Sequence, residues 1–105
     1  MRVYIAGPIT DVPDYEMKFK EAEQFIKDNG GIPINPAAAT RQMASYGDEF
    51  AHAEYMKVTM PLLSLCGCIY LLKGWEKSRG AKQELRWALE NGLEVIVQNG
   101  NNNNT

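Results

Sequence analysis

The chain has 105 residues, 45% of them hydrophobic, and a formal charge of −2. That is room for one small domain with a real core, and the charge balance argues against nucleic acid as the main partner. No apolar run approaches a membrane span, and the first one is cut short at Gly7-Pro8, so neither a signal peptide nor an anchor is expected and the compartment is read as the cytoplasm.

In chain order, Arg2 to Ala6 reads as a strand closed by Gly7-Pro8. Thr10 to Asp14 is a loop with Pro13 near a helix start. Tyr15, Phe19, Ala22 and Ile26 recur at helical spacing until Asn29-Gly30-Gly31 stops the helix. Ile32 to Ile34 is a short strand ended by Asn35-Pro36, and a loop of small residues is expected from Ala37 to about Tyr46. Phe50 to Leu65 reads as helical, with Ala53, Met56, Met60 and Leu63 as its inner face and Pro61 as a kink or break.

Cys68 to Leu72 is an apolar strand. Cys66 and Cys68 are two apart, so in a strand they would share one face, and they read as reduced core thiols. His52 is the single His, so no metal set surrounds them and no cofactor is expected. Ser78 is a good N-cap for a helix from Ala81 to Asn91. Leu93 to Val97 is the last strand. The domain is expected to span residues 1–98, and the Asn-rich tail 99–105 is expected to fray.

Four strands separated by helical stretches predict right-handed βαβ crossovers and a parallel sheet covered on both faces. The expected fold is a small α/β three-layer sandwich, flavodoxin-like or Rossmann-like, with strand order 2-1-3-4. The switch point then falls between the first and third strands, where the loops Gly7-Pro8-Ile9-Thr10 and Lys73 to Gly80 meet.

The segment after the third strand carries the chemistry. Free N–H groups at a helix start make an anion site, here at Ser78 to Gly80. Ala81, Leu85 and Ala88 define a core-facing stripe, and Glu84 borders it. A carboxylate there faces whatever the anion belongs to, which suggests a phosphate held at the loop and chemistry at the attached sugar. The simpler reading makes Glu84 an edge residue paired with a Lys or Arg, or with the helix start.

Tyr4-Ile5-Ala6-Gly7-Pro8, Asn35-Pro36 and Ser78-x-Gly80-x-x-x-Glu84-Leu85 resemble the nucleoside 2-deoxyribosyltransferase-like superfamily, including its 2'-deoxynucleoside 5'-phosphate N-hydrolase branch. The likeness runs to about Val97 and is strongest to a small phage and bacterial subgroup with Leu-Leu-x-Gly-Trp-x-x-Ser-x-Gly-Ala. It implies that Glu84 attacks the anomeric carbon of a deoxyribose, the base leaves, and water or a second base resolves the glycosyl-enzyme. It further implies that Ser78 and Gly80 hold a 5'-phosphate or 5'-hydroxyl, with Gly7, Pro8, Ile9 and Thr10 closing the other side. Tyr4 would orient Glu84 or touch the sugar, and Trp75 would cover the base. The partner implied is a small nucleoside or nucleotide, in a homodimer or larger homo-oligomer.

The chain also departs from that pattern. Thr59 stands where relatives carry an Asp, Cys66-Gly67 where they carry Cys-Asp, and Glu16 where an Asn is common. The acid that would protonate the leaving base is therefore not evident; Asp11, Asp14, Glu16, Asp48 and Glu54 are the candidates, and Glu54 or Asp48 could come from a neighbouring subunit. Arg79 reads equally as a phosphate contact and as an exposed loop residue. His52 is read as a helix-surface or interface residue, and Trp87, off the apolar stripe, as suited to a subunit interface. Three functions stand open: an enzyme acting at an N-glycosidic bond, a nucleotide binder that does not cleave, and a scaffold that keeps only the fold.

Overall fold

In the computed structural model, which describes residues 1–99, four strands form one parallel sheet in the order β2-β1-β3-β4. They are β1 (Arg2–Ala6), β2 (Ile32–Ile34), β3 (Cys68–Leu71) and β4 (Glu94–Val97). The fold class and strand order are those expected from the sequence. The Asn-rich tail, expected to fray, lies outside the described residues apart from Asn99.

Strand direction decides which layer each helix joins. The chain moves one way from β1 to β2 through α1 (Tyr15–Asp28), then crosses back to β3 and on to β4 through α4 (His52–Ser64) and α5 (Arg79–Glu90). With one crossover hand, opposite directions put helices on opposite faces. The alternation of side chains along the strands matches. Val3, Ile5, Cys68, Tyr70 and Leu72 join Phe19, Ala22 and Ile26 of α1 in one core. Tyr4, Ala6, Ile69 and Leu71 join Leu63 of α4 and Ala81 and Ala88 of α5 in the other.

Several sequence expectations are corrected here. The two cysteines do not share a face. Cys68 belongs to the α1 core, and Cys66, one turn before the strand, belongs to the α4/α5 core. Both are free and buried, as expected. The segment from Ala37 to Tyr46 is not a loop but holds two single-turn helices, α2 (Pro36–Ala39) and α3 (Arg41–Ala44). Asn35 caps α2 by accepting from the N–H groups of Ala37 and Ala38, and Pro36 takes its first position. The α4 helix continues past Pro61, so no break falls there. Of its expected inner face, Met56, Met60 and Leu63 are partly or fully buried, whereas Ala53 is exposed and Thr59 is buried in addition. Trp87 is half-buried and packs on the α4/α5 core rather than standing free for a partner. Among the described residues, no helix is long and apolar enough to cross a membrane.

Gly7 closes β1 at a point of very close approach. A Cβ there would stand 2.7 Å from Cβ of Leu72, just where β1 and β3 separate. Gly7→Ala is therefore expected to lower stability by about 1–3 kcal/mol through overpacking. Urea denaturation of the variant beside wild type measures it, and an unchanged midpoint would show that the strands can part at no cost.

Candidate active site

A cavity of about 560 Å³ opens over the carboxyl ends of β1, β2 and β3. This is the place open parallel sheets offer to ligands, at the point where the strand order reverses. The loop after β1 contributes Gly7, Pro8, Ile9 and Thr10, and the loop after β3 contributes Lys77, Ser78, Arg79 and Gly80. Asp48, Phe50, His52, Tyr55, Met56 and Thr59 close it from the segment that leads into and along α4.

Glu84 is the chemical centre. It lies one and a half turns into α5, three residues after Ala81 and four before Ala88, and is only 6% exposed. The sequence put it at the border of the apolar stripe, but it sits within that stripe and still reaches the cavity wall. Tyr4, fully buried in the middle of β1, donates its hydroxyl to Glu84 Oε2 at 2.5 Å. The hydroxyl of buried Thr59 faces the same pair and eases the Glu84 carboxyl downward, as the Tyr4 hydroxyl does. Burial outweighs both and lifts the carboxyl to about 7. Burial, then the neighbouring Glu84 charge, pushes the Tyr4 hydroxyl far above the ordinary tyrosine range, so Tyr4 remains a donor at any working pH.

The start of α5 supplies the complementary feature. Ser78 Oγ accepts from the Ala81 N–H at 3.1 Å, the N-cap expected from the sequence. The Arg79 and Gly80 N–H groups have no helix carbonyl to reach, and both residues line the cavity. Lys77 and Arg79 add positive charge beside them. A Cβ on Gly80 would meet His52 Cε1 and Met56 Sδ at 3.7 Å, ordinary contacts. The protein itself would accommodate that methyl group, and the space it would fill is space above the helix start. His52 and Gln83 are hydrogen-bonded, linking α4 to α5 at this point.

Residues 1–97 match the DUF4406 family model, a domain of unknown function. The chain belongs to the DUF4406 family. No curated protein and no solved structure matches it.

Of the residues singled out from the DUF4406 sequence, Gly7, Pro8, Ile9, Thr10, Ser78, Gly80 and Glu84 line one cavity. Tyr4 stands behind Glu84, so it can orient the carboxyl but does not line the cavity. Trp75 does not line it either. It lies in a short 3-10 turn (Trp75–Lys77) and packs on the α4/α5 core. The aromatic side chains at the cavity are instead Tyr15, Phe19, Phe50 and Tyr55, the last two edge to face at 6.4 Å. Reading His52 as a plain surface residue missed its place on the cavity wall. The signal for His52, Met56 and Thr59 was present: with Leu63 they follow a stripe at i, i+4, i+7 and i+11 whose first and third members are polar. Among the described residues, no group of three or more His, Cys, Asp or Glu is placed to hold a metal ion.

The raised carboxyl of Glu84 carries a stability cost with a definite sign. The unfolded chain releases this proton near 4.5 and the folded chain near 7. Between those values the folded state holds more protons, so stability falls as pH rises through the window and the loss is complete above 7. The difference corresponds to about 3 kcal/mol. Glu84→Gln should therefore be more stable than wild type by up to about 3 kcal/mol at pH 8 and equal to it near pH 4. Chemical denaturation at the two pH values checks this, and a constant offset between the proteins would contradict it.

Proposed function

We propose that this cavity binds a deoxynucleoside or its 5'-monophosphate and that Glu84 breaks the N-glycosidic bond through a covalent glycosyl intermediate. The observation that carries the reading is the pairing of a buried carboxyl with an anion cradle on one helix. Glu84 and the Ser78–Gly80 turn are held at a set spacing by α5, and both face the same space.

The chemistry needs a carboxylate that is ionised when substrate is present and poorly solvated before it attacks. Burial supplies the second property, and the hydroxyls of Tyr4 and Thr59 favour the first. An oxocarbenium-like centre forming beside the carboxylate adds positive charge and favours ionisation further. The phosphate or 5'-hydroxyl would rest on the Gly80 N–H and beside Arg79, which fixes the sugar relative to Glu84. Tyr15, Phe50 and Tyr55 provide flat surfaces for a base. Tyr4 acts as a positioning residue, since it reaches the reaction through Glu84.

A second reading is binding without cleavage, in which the same cavity retains a nucleotide or a nucleotide-derived signal. It is favoured by Thr59, a neutral hydroxyl beside Glu84 where a second carboxyl would serve proton transfer. A homodimer or larger homo-oligomer belongs to the proposal as well, on the resemblance alone.

Incubation with the four deoxynucleoside monophosphates, and with free deoxynucleosides plus a second base, tests the reading by chromatography of the released base. Release is expected, with kcat/KM rising as pH rises through about 7 as Glu84 ionises. Glu84→Gln is expected to lower turnover by at least about a thousandfold. Gly80→Ala is expected to leave the fold intact or stabilise it by up to about 1 kcal/mol while weakening ligand binding. Thermal stabilisation by nucleotides without base release would favour the binder, and no response in either assay would defeat both readings.

A further inference from the structure

The sheet has two outer edges, and the sequence treats them differently. The β2 edge is three residues long with Pro33 at its centre, which has no N–H to offer a further strand. The β4 edge carries Glu94-Val95-Ile96-Val97-Gln98, with no Pro, Lys or Arg to blunt it. The Glu94 N–H donates to the Gly67 carbonyl at 3.1 Å, and the Gln98 N–H donates to the Leu71 carbonyl at 2.8 Å. Those bonds point inward, toward β3. Backbone groups alternate along a strand, so Val95 and Val97 present their N–H and C=O groups to the outer edge. Among the described residues no strand pairs with them there.

The side chains beside this edge are apolar and uncovered. Ile96 is in register with Tyr70 on the α1 face of the sheet and is 41% exposed. Phe25 of α1 stacks on Tyr70 with ring centroids 5.5 Å apart and is 51% exposed. Val97, on the opposite face, is 53% exposed. A bare apolar edge of this kind is a template for pairing.

The edge is nearly palindromic about Ile96, and that identifies its occupant. We infer that β4 pairs with β4 of a second copy, antiparallel, across a twofold axis that passes through Ile96 perpendicular to the sheet. In that register Val95 stands opposite Val97 of the other copy, and each such pair exchanges both of its main-chain hydrogen bonds. Ile96 meets its own copy on the axis, and Glu94 falls opposite Gln98. Gln98 Oε1 already accepts from the Lys73 N–H at 2.8 Å, so its amide nitrogen is left to donate to the Glu94 carboxylate. Phe25, Tyr70 and Ile96 of both copies then form one apolar strip across the axis. Moving the axis to Val95 or to Val97 would set Ile96 against Glu94 or against Gln98. The blunted β2 edge gives the pair no second place to grow, so the assembly closes as a dimer. No residue of β4 lines the cavity, so each copy keeps a whole site. This gives the homo-oligomer proposed above its interface and is independent of the glycosidic chemistry.

Light scattering and oxidative cross-linking of the full chain test the inference. Wild type is expected at the mass of a dimer. Ile96→Lys puts two like charges face to face on the axis, and Val97→Pro removes an outward N–H without touching a bond to β3. Both are expected to halve the mass and keep the circular dichroism of wild type. Ile96→Cys is expected to form a disulfide between copies, because the Cα atoms of a non-hydrogen-bonded pair stand about 4.5 Å apart. Val97→Cys is the control, since its two copies lie beyond disulfide reach in this register. The native cysteines are buried, and wild type serves as the blank. Should Ile96→Lys or Val97→Pro lose its fold, the cysteine pair still decides. A wild-type monomer at the highest soluble concentration would overturn the inference and remove the homo-oligomer with it. A dimer that survives both Ile96→Lys and Val97→Pro, or that cross-links through Val97→Cys rather than Ile96→Cys, would overturn the inference and leave a homo-oligomer built on another surface.

Discussion

The hydrogen bond between Tyr4 and Glu84 joins the central strand to the last helix inside the molecule's second core. A carboxyl in that position is costly, because burial opposes its charge. A Leu or Ala at position 84 would continue the apolar stripe of α5 and pack on the same neighbours. The polar pair instead ties β1 to α5 at one register and aims one carboxyl oxygen at Tyr4. That constraint also determines where the cavity can be. It must include the β1 carboxyl end, because that is where Glu84 reaches its wall, and from there it extends over Ile5, Tyr15 and Phe19 of the α1 side.

Other features follow from that placement. Gly7 lets β1 end against Leu72 without a side chain between them, which brings the β1 loop and the β3 loop together above the sheet. Ser78 caps α5, and the next two residues, whose N–H groups have no helix carbonyl to reach, line the same space. Thr59 arrives from α4 and completes the polar surroundings of the carboxyl. These parts come from three separate elements, and each is polar or small at a position where an apolar residue would make a better core. Local rules are broken together at one location, which is the usual mark of a functional site.

Much of this was legible in the chain. Gly7-Pro8, Asn29-Gly30-Gly31 and Asn91-Gly92 punctuate the elements, and the short apolar runs between them read directly as strands of a parallel sheet. The strand order follows from crossover handedness, and the cradle at Ser78–Gly80 follows from capping chemistry. Residues that depend on long-range packing were less legible. Trp75 looked suited to cover a ligand because it neighbours the cradle in sequence. Its 3-10 turn directs it into the core instead. Ala53 was misplaced on the inner face of α4 because Ala53, Met56, Met60 and Leu63 form a plausible apolar series. The true face includes His52 and Thr59, which are polar because they border the cavity. The Ala-rich segment after β2 read as loop because it is short and lacks an amphipathic repeat, although its Asn-Pro start already carried a helix cap.

By itself the sequence determined the alternation of strands and helices, the switch point between the first and third strands, and the identity of Glu84 as a misplaced carboxyl. Those properties depend on periodicity, turn residues and caps, which act within a few residues of each other. Tertiary structure decided how deeply Glu84 is buried, that Tyr4 stands behind it rather than beside a ligand, and that Asp48 alone among the five candidate carboxyls reaches the cavity. Those outcomes depend on how α4 and α5 settle on one face of the sheet, and no local pattern encodes a contact between residues 80 positions apart.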